Sequence, residues 1–396
     1  MFPTDVVIVA GARTPMARYT GAFSEVSAID LGAHAAKAAV QRSGVNPAEF
    51  DHVVFGNVLQ TSVDAIYGAR HVGLKAGLKV ETPAVTVNRL CGSGIEAVAQ
   101  AAQRLLLGEA QMVLAGGMEN MTQAPFVIRG ARTGLKLGGG TLEDSLFAGL
   151  TDSYCGLPMA LTAEKLAEQV GITRKDADAY ALRSQQAADR AAKAGVFEEE
   201  IAPVEVKQGR KSVLVSQDDH RRPETTMETL EKLPPSFKKD GMVTAGNASG
   251  IVDGAAAVVV TREKAAKERG LKPLGRIISW AVAGVDPSIM GIGPVPSTRK
   301  ALQFAGMKLE QMDRVEVNEA FAAQYLAVEK ELGLDRDRTN VNGGAIALGH
   351  PLGASGTRLV ITLLNELRRK GLRYGVAAAC IGGGQGIAMI VEALGN

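Results

Sequence analysis

The chain has 396 residues, of which 46% are hydrophobic and 22% charged, a composition that sets aside disorder and calls for more than one hydrophobic core. Forty-four Lys and Arg stand against 42 Asp and Glu, a formal charge of +2, which excludes a nucleic-acid footprint over a whole face. Three cysteines, Cys91, Cys155 and Cys380, form no disulfide framework and point to a reducing compartment.

Other classes fall away as quickly. Five dispersed histidines and no cysteine pair at ligand spacing give no zinc site. Met1-Phe2-Pro3-Thr4-Asp5 leads straight into an apolar run without a basic segment, unlike a secretory signal, and no apolar run approaches about 18 residues, so no membrane span is expected. The basic groups Arg129/Arg132/Lys136, Lys207/Arg210/Lys211 and His220/Arg221/Arg222 leave room for small anionic ligands, with solvated surface as the plainer reading. Aromatics at 4% and 46 glycines predict an interior of closely approaching elements with small side chains.

In chain order, Val6–Ala10 reads as a buried strand and Ile29–Ser43 as the small-residue helix that covers it. Val53–Asn57 and Ala84–Val87 are short strands, Ile95–Leu107 is a helix with apolar positions every three or four residues, and Met112–Ala115 is another strand. This alternation implies an α/β fold, a mostly parallel sheet with helices on its faces. From Glu119 to about Asn247 the rhythm breaks at Gly138-Gly139-Gly140, Pro203, Pro223 and Pro234-Pro235, leaving helices over Ala160–Val170 and Lys175–Ala194. The stretch reads as an excursion over the first domain, which is then completed by strand Gly254–Val260 and helix Arg262–Arg269.

The second half repeats that texture: helix Pro296–Ala305, strand Val315–Asn318, helix Ala320–Leu332, a loop ending at Gly349, helix Ala354–Arg369, and strands Val376–Cys380 and Ile387–Ile390. An extended segment leading to Cys91-Gly-Ser-Gly before a helix matches one leading to His350-Pro-Leu-Gly-Ala-Ser-Gly before a helix. Such a repeat places two equivalent corners face to face.

The chemistry gathers at these corners. Cys91 stands where a strand ends and a helix begins, so the unpaired first-turn amides and the helix dipole are expected to lower its pKa; the plainer reading is a buried small hydrophobe. His350, between Gly349 and Pro351, sits on a constrained loop and can serve as base to a thiol. Cys380 ends what reads as an edge-like strand and opens Ile381-Gly382-Gly383-Gly384-Gln385-Gly386, whose amides can approach an anionic oxygen; a second thiol suits proton transfer, with a redox or metal pair as the competing reading. Asn318 at a strand end is either a helix N-cap or the holder of a catalytic water. Cys155 has neither a glycine corner nor a basic companion and reads as structural. No spaced dinucleotide fingerprint and no phosphate-binding Gly-Lys-Ser/Thr loop occur, so NAD and ATP are unsupported.

Five blocks together resemble the thiolase family: Val87-Asn-Arg-Leu-Cys91-Gly-Ser-Gly, Gly246-Asn-Ala-Ser249-Gly-Ile-Val-Asp-Gly254, Asn318-Glu-Ala-Phe321, Asn342-Gly-Gly-Ala-Ile-Ala-Leu-Gly-His350-Pro-Leu-Gly and Cys380-Ile-Gly-Gly-Gly384. The resemblance runs from Val6 to near Ala393. It implies duplicated five-stranded mixed sheets in α-β-α-β-α layers, with residues 1–118 plus 249–270 as the N-terminal domain, 119–248 as an inserted CoA-binding loop domain and 271–396 as the C-terminal domain. It implies no bound cofactor, with coenzyme A and acetyl-CoA as substrates, and a homodimer or dimer-of-dimers tetramer. The compartment it suggests is the cytoplasm, or an organelle matrix in a eukaryote.

For the site, the resemblance implies that Cys91 takes up the acyl group, His350 draws off its proton and Cys380 is the acid/base at the departing carbanion or the incoming CoA. Asn318 holds a water that forms one oxyanion hole with His350, and the amides of Cys91 and Gly382 form the other. Arg222 is expected at the nucleotide end of CoA, Ser249 on the pantetheine arm, and Leu150, Met159, Leu233, Phe237, Ala245, Ala320 and Phe321 along the slot. Leu157-Pro158-Met159-Ala160 lacks the histidine that short-chain biosynthetic members tend to carry before the methionine, and with Pro287-Ser-Ile-Met-Gly-Ile-Gly-Pro-Val-Pro296 looks like the mitochondrial-type degradative members. Thiolytic cleavage of 3-ketoacyl-CoA and the reverse condensation are therefore expected, with a short-chain acetyl-CoA acetyltransferase as the alternative. A ketoacyl-synthase-like condensing enzyme is disfavoured by the Cys380 corner, and a non-reacting CoA or lipid carrier by the presence of Cys91, His350 and Cys380.

Overall fold

The computed structural model describes residues 4–395, Gln208 without its side chain; the expected leader-free N-terminus falls partly on residues 1–3, outside the described residues. The first half runs β1 (Val6–Arg13), α1 (Ala28–Ser43), β2 (His52–Gly56), α2 (Gly68–Lys75), β3 (Ala84–Val87), α3 (Ser93–Leu107) and β4 (Met112–Glu119). An excursion over residues 120–251, with α4 (Met159–Val170) and α5 (Arg174–Lys193) as its long helices, precedes β5 (Val252–Arg262). The second half runs β6 (Gly275–Gly284), α6 (Pro294–Ala305), β7 (Arg314–Val317), α7 (Ala322–Leu332), α8 (Leu352–Arg369), β8 (Tyr374–Ile381) and β9 (Gln385–Ala393).

Local chemistry sets these limits. α1 starts at Ser27, whose side chain accepts from the Asp30 amide, and stops at Gly44 in the left-handed conformation (φ 70°). α3 likewise stops at Gly108 (φ 76°). β1 is buried along its whole length, as befits a continuous apolar run inside a sheet.

The strands lie in the order β7-β8-β9-β6-β1-β5-β4-β2-β3. The two half-sheets join where Val7 and Ile8 of β1 pair with Arg276 and Gly275 of β6. In the first half β3, β2 and β4 run parallel and β5 and β1 antiparallel. In the second, β7 and β8 are parallel and β9 and β6 antiparallel, with a parallel bridge from Val315 to Thr339 in the place of the fifth strand. The duplication read from the sequence is thus carried strand by strand, and it puts Cys91 and His350 at matching positions before α3 and α8.

One core, including Val6, Ile95, Leu359 and Met389, fills the space between the sheets around α3 and α8. A second packs α1 on the outer face of the first half-sheet, through Ile29, Leu31 and Phe50. A third packs α6 and α7 on the outer face of the other, through Leu302, Tyr325 and Ile390. These three helical layers and two sheet layers are the predicted stack. Glycine supplies the close approaches: a Cβ on Gly116 would stand 2.3 Å from the Ala256 carbonyl oxygen of the neighbouring strand.

β4 and β5 pair directly, Glu119 opposite Gly254, so the chain leaves the first half at the end of one strand and returns at the start of the next. The excursion is fastened by Arg13 of β1, whose buried guanidinium reaches Glu200 (2.7 Å) and both oxygens of Asp218 (2.7 and 2.9 Å). No helix among the described residues is long and apolar enough to cross a membrane.

Candidate active site

Cys91 lies in the single 3₁₀ turn Leu90–Gly92 between β3 and α3, one turn earlier than the helix mouth the sequence suggested. Leu90 holds φ 47°, a conformation uncommon for a side chain of its size. The turn is pinned by the Asn88 side chain, which accepts from the Leu90 amide (3.0 Å), and by Ser93, whose hydroxyl accepts from the Arg89 amide (2.9 Å) and donates to the Leu90 carbonyl (2.7 Å). Gly92 leaves no space for a side chain, since a Cβ would stand 2.6 Å from Ile381.

The expected depressed pKa is corrected by the structure. Burial pushes the Cys91 thiol up to about 11, against the amides of Gly382 and of Cys91 itself, which pull it down, and the charge of Glu119 adds to the rise. The side chain packs against a cluster of Met121, Leu146 and Leu352, and this apolar enclosure outweighs two amides. A protonated thiol therefore needs a base beside it.

His350 is buried at the matching corner, its backbone amide donating to the Gly250 carbonyl (2.9 Å). The Ser355 hydroxyl gives its one hydrogen to the Pro351 carbonyl (2.9 Å), so it accepts from His350 Nδ1–H at 2.6 Å. That hydrogen-bond pattern assigns the tautomer and leaves a lone pair on Nε2, 3.2 Å from the Asn318 side-chain nitrogen. Burial, helped by the Arg358 charge, lowers the imidazole to about 3, so it is neutral in the resting site.

Asn318 is not an N-cap: α7 starts later, with Phe321 in the cap position. It directly follows β7, fully buried, and its side-chain oxygen has no partner among the described residues. Cys380 is also fully buried, and β8 is an interior strand between β7 and β9, not the edge-like strand expected. Burial and then the nearby Cys91 raise its thiol. The following turn uses Gly383 (φ 77°) and Gly384 (φ 80°), conformations that favour glycine, and presents the Gly382 amide to Cys91.

Two cavities meet here. One of about 350 Å³ is lined by Cys91, His350, Leu150, Met159, Phe237, Ala245, Ser249, Ala320 and Phe321, joined by Pro158, Met290, Leu352 and others. A second, of about 450 Å³, is lined by Arg222, Leu233 and Ala245 among others. Ala245 belongs to both, so the nine slot residues named from the sequence lie along two adjoining cavities. Cys380 and Gly382 do not line either; Cys380 lies behind Met290 and Ala320.

Cys155, read as structural, is half-buried in the turn between Thr151–Asp152 and Leu157–Pro158, away from any core cluster. Sequence reasoning also passed over Ser355, which orients His350, and Glu119, which accepts four N–H groups around the site. A serine five residues after His350, in the first turn of the next helix, was the available signal for the former. Among the described residues no group of three or more His, Cys, Asp or Glu is placed to hold a metal ion.

A cysteine, a neutral imidazole oriented through its far nitrogen, and a second, buried thiol on a duplicated layered fold are groups that cysteine-nucleophile chemistry requires. Residues 6–264 match the thiolase N-terminal domain and residues 271–393 the thiolase C-terminal domain. The chain is 55% identical over 388 residues to human mitochondrial 3-ketoacyl-CoA thiolase, covering 98% of each, and 50% identical over 387 residues to an acetyl-CoA acetyltransferase of Pseudomonas aeruginosa, covering 97% of this chain and 98% of that one. The crystal structure of the human thiolase superposes with a TM-score of 0.97 over 98% of this chain and 99% of that one, and its complex with CoA with a TM-score of 0.96. The chain belongs to the thiolase family and is an acyltransferase.

Proposed function

We propose that the enzyme cleaves 3-ketoacyl-CoA with CoA to acetyl-CoA and a shortened acyl-CoA, and runs the reverse condensation, through an acyl group carried on Cys91. The observation that carries this reading is the Asn318–His350 contact at the wall of the apolar cavity into which Cys91 opens.

His350 Nε2 takes the proton from the Cys91 thiol, and the sulfur attacks the 3-keto carbon. The bond between C2 and C3 breaks, the acyl group stays on sulfur, and Cys380 protonates the acetyl-CoA carbanion. Cys380, now a thiolate, takes the proton from incoming CoA, whose sulfur attacks the acyl carbonyl. The shortened acyl-CoA leaves, and Cys91 recovers its proton from His350. The Cys91 and Gly382 amides face the oxyanion formed on the acyl carbon, and Asn318 with a held water and His350 face the enolate oxygen. The orphaned Asn318 side-chain oxygen supports the water, since a buried acceptor is rarely left without a partner.

Coenzyme A enters as substrate and no further cofactor takes part. Arg222, exposed beside the second cavity, suits the nucleotide phosphates, and the shared Ala245 suits a pantetheine arm threading from there past Ser249 to the sulfur. The excursion, which contains the expected loop domain 119–248 apart from Glu119 at the end of β4, is the part that holds CoA. The unpaired edge of β3 and the exposed Val63, Ile66, Tyr67 and Val80 support a homodimer, itself able to pair into a tetramer. The setting is an aqueous compartment, cytoplasm or organelle matrix.

Pro158 lines the cavity where a polar ring would narrow it, which favours broad chain-length use over an acetyl-CoA acetyltransferase limited to acetoacetyl-CoA. Steady-state thiolysis across 3-ketoacyl-CoA lengths, with the mass of trapped acyl-Cys91, tests both parts. Turnover of acetoacetyl-CoA and of 3-ketohexanoyl-CoA is expected. Activity on acetoacetyl-CoA alone would select the narrower enzyme, and no mass increase on Cys91 would remove the covalent route.

A further inference from the structure

We propose that Glu119 is a positioning residue for this reaction: its carboxylate locks the wall behind Cys91 to the corner that carries His350, across the junction of the two halves. The inference rests on the thiolase reading for its effect on turnover, but its structural basis is separate.

Glu119 ends β4 with no exposed surface. One carboxylate oxygen accepts from the Asn57 side chain (3.1 Å) and the Leu59 amide (3.0 Å); the other accepts from the Val58 amide (3.1 Å) and the Gly353 amide (2.8 Å). All four partners are N–H donors, so the arrangement fits the anion, and a proton on the carboxyl would meet a donor. Three of these donors lie just after β2 in the first half, and the fourth is in the first turn of α8 in the second. Leu352, next to the Gly353 amide, belongs to the cluster against which Cys91, Val58 and Leu59 all pack, and Gly353 is three residues from His350.

The second half cannot supply this contact itself. α8 runs 18 residues from Leu352, yet its cap position is Pro351, with no side chain capping the free amides. Glu119 provides the missing anion from the other half, at the positive end of the helix. The backbones are already in contact: a Cβ on Gly117 would stand 1.9 Å from the Gly353 carbonyl oxygen, and one on Gly353 2.6 Å from that of Met118. A shift of the carboxylate therefore moves both corners.

The charge has a second consequence. Burial pushes Glu119 up to about 7 against its amide donors, with Asp253 adding to the rise, and Glu119 in turn raises the Cys91 thiol. The other titratable groups at Cys91 are His350 and Cys380, contributed by different elements. When ionised, Glu119 opposes loss of the Cys91 proton before His350 takes it.

The test is Glu119→Gln, which keeps shape and removes charge, with Glu119→Asp, which keeps charge and loses reach. Three quantities are read on the full chain: acetoacetyl-CoA thiolysis, thermal midpoint, and the pH dependence of iodoacetamide alkylation followed by mass on the Cys91 peptide. In Glu119→Gln, kcat should fall at least tenfold with KM for CoA within twofold, while the alkylation midpoint moves to lower pH. In Glu119→Asp, kcat should fall with the midpoint unmoved. Unchanged kcat in both, or an unmoved alkylation midpoint in Glu119→Gln, overturns the proposal. Should Glu119→Gln not fold, Asn57→Ala removes one donor of the four, and kcat equal to the parent there overturns it as well. A parent enzyme that cleaves no 3-ketoacyl-CoA would sink the reaction assigned above, while the alkylation shift would still report on Glu119.

Discussion

Gly94 and Gly356 face each other where the two central helices cross: a Cβ on Gly94 would stand 2.4 Å from the Thr357 amide nitrogen, and one on Gly356 2.4 Å from that of Ile95. The contact is reciprocal because α3 and α8 are equivalent elements of the two halves. Each lies a few residues beyond a reacting side chain, so the helix spacing sets how the Cys91 and His350 corners face one another. In an isolated helix Gly356→Ala would gain about 1 kcal/mol. Here the added carbon meets backbone, which cannot swing aside, and overpacking of this kind costs about 3 kcal/mol. The sign is the test: the denaturation midpoint should fall, and a rise would show that the crossing has slack.

The two thiols, Cys91 half-buried and Cys380 buried, should separate in their effects. Cys91→Ala is expected to abolish thiolysis and the mass increase from substrate, because among the described residues Cys91 is the one thiol that lines the cavity. Cys380→Ser should slow the carbon–carbon step by about 10²- to 10⁴-fold, the usual contribution of a positioned acid or base. Acylation of Cys91 from an acyl-CoA should survive that change, because His350 serves the first thiol. Single-turnover mass measurement reads both half-reactions, and equal loss of the two in Cys380→Ser would deny it a separate part.

A pH dependence follows from the two displaced groups. Burial raises Cys91 to about 11, so at pH 8 only about one thiol in a thousand is ionised by itself. His350 is lowered to about 3 and stays neutral at any working pH. Alkylation of Cys91 in the free enzyme should thus keep climbing with pH through 9 and 10 without levelling near the ordinary thiol value. Transfer from Cys91 to His350 leaves the total proton count unchanged, so these two groups should not impose the same climb on thiolysis. An alkylation plateau below pH 8 would show an ion pair already formed in the resting site.

The spacing of glycine-rich corners made the duplication legible, because Cys91 and His350 each precede a helix with a strand-like run before it. Helix and strand limits read from periodicity fall within a few residues of those observed wherever the face is continuously apolar, as in β1 or α8. β6 escaped the reading: Arg276, Ser279 and Trp280 interrupt its apolar pattern, and its place is set by pairing with β9 and, at one corner, with β1. α2, Gly68–Lys75, escaped because glycine and histidine give a poor local helical signal over eight residues. The ionisation of Cys91 was misread for a related reason. A helix dipole can be inferred from sequence, but enclosure by Met121, Leu146 and Leu352 comes from segments far apart in the chain. Glu119 shows the same limit, since its donors come from residues 57–59 and 353.

Arg13 offers the clearest stability test outside the reacting groups. Its side chain is fully buried, and Glu200 and Asp218, its carboxylate partners, belong to the excursion, whereas Arg13 itself ends β1. Burial works against the charge, but the two carboxylates more than offset it and raise the guanidinium above its ordinary value. Arg13→Met would keep much of the volume and leave two buried carboxylates without their cation. Breaking such a cluster from one side costs about 3–5 kcal/mol, because the remaining charges stay desolvated. The loss should loosen the excursion ahead of the sheets, since Glu200 and Asp218, at the two ends of residues 200–218, lose their shared cation while β1 keeps its ladder to β5. Limited proteolysis should cut the variant first within residues 195–225, with KM for CoA rising more than kcat falls. A variant as resistant as the parent would place the anchoring of the excursion elsewhere.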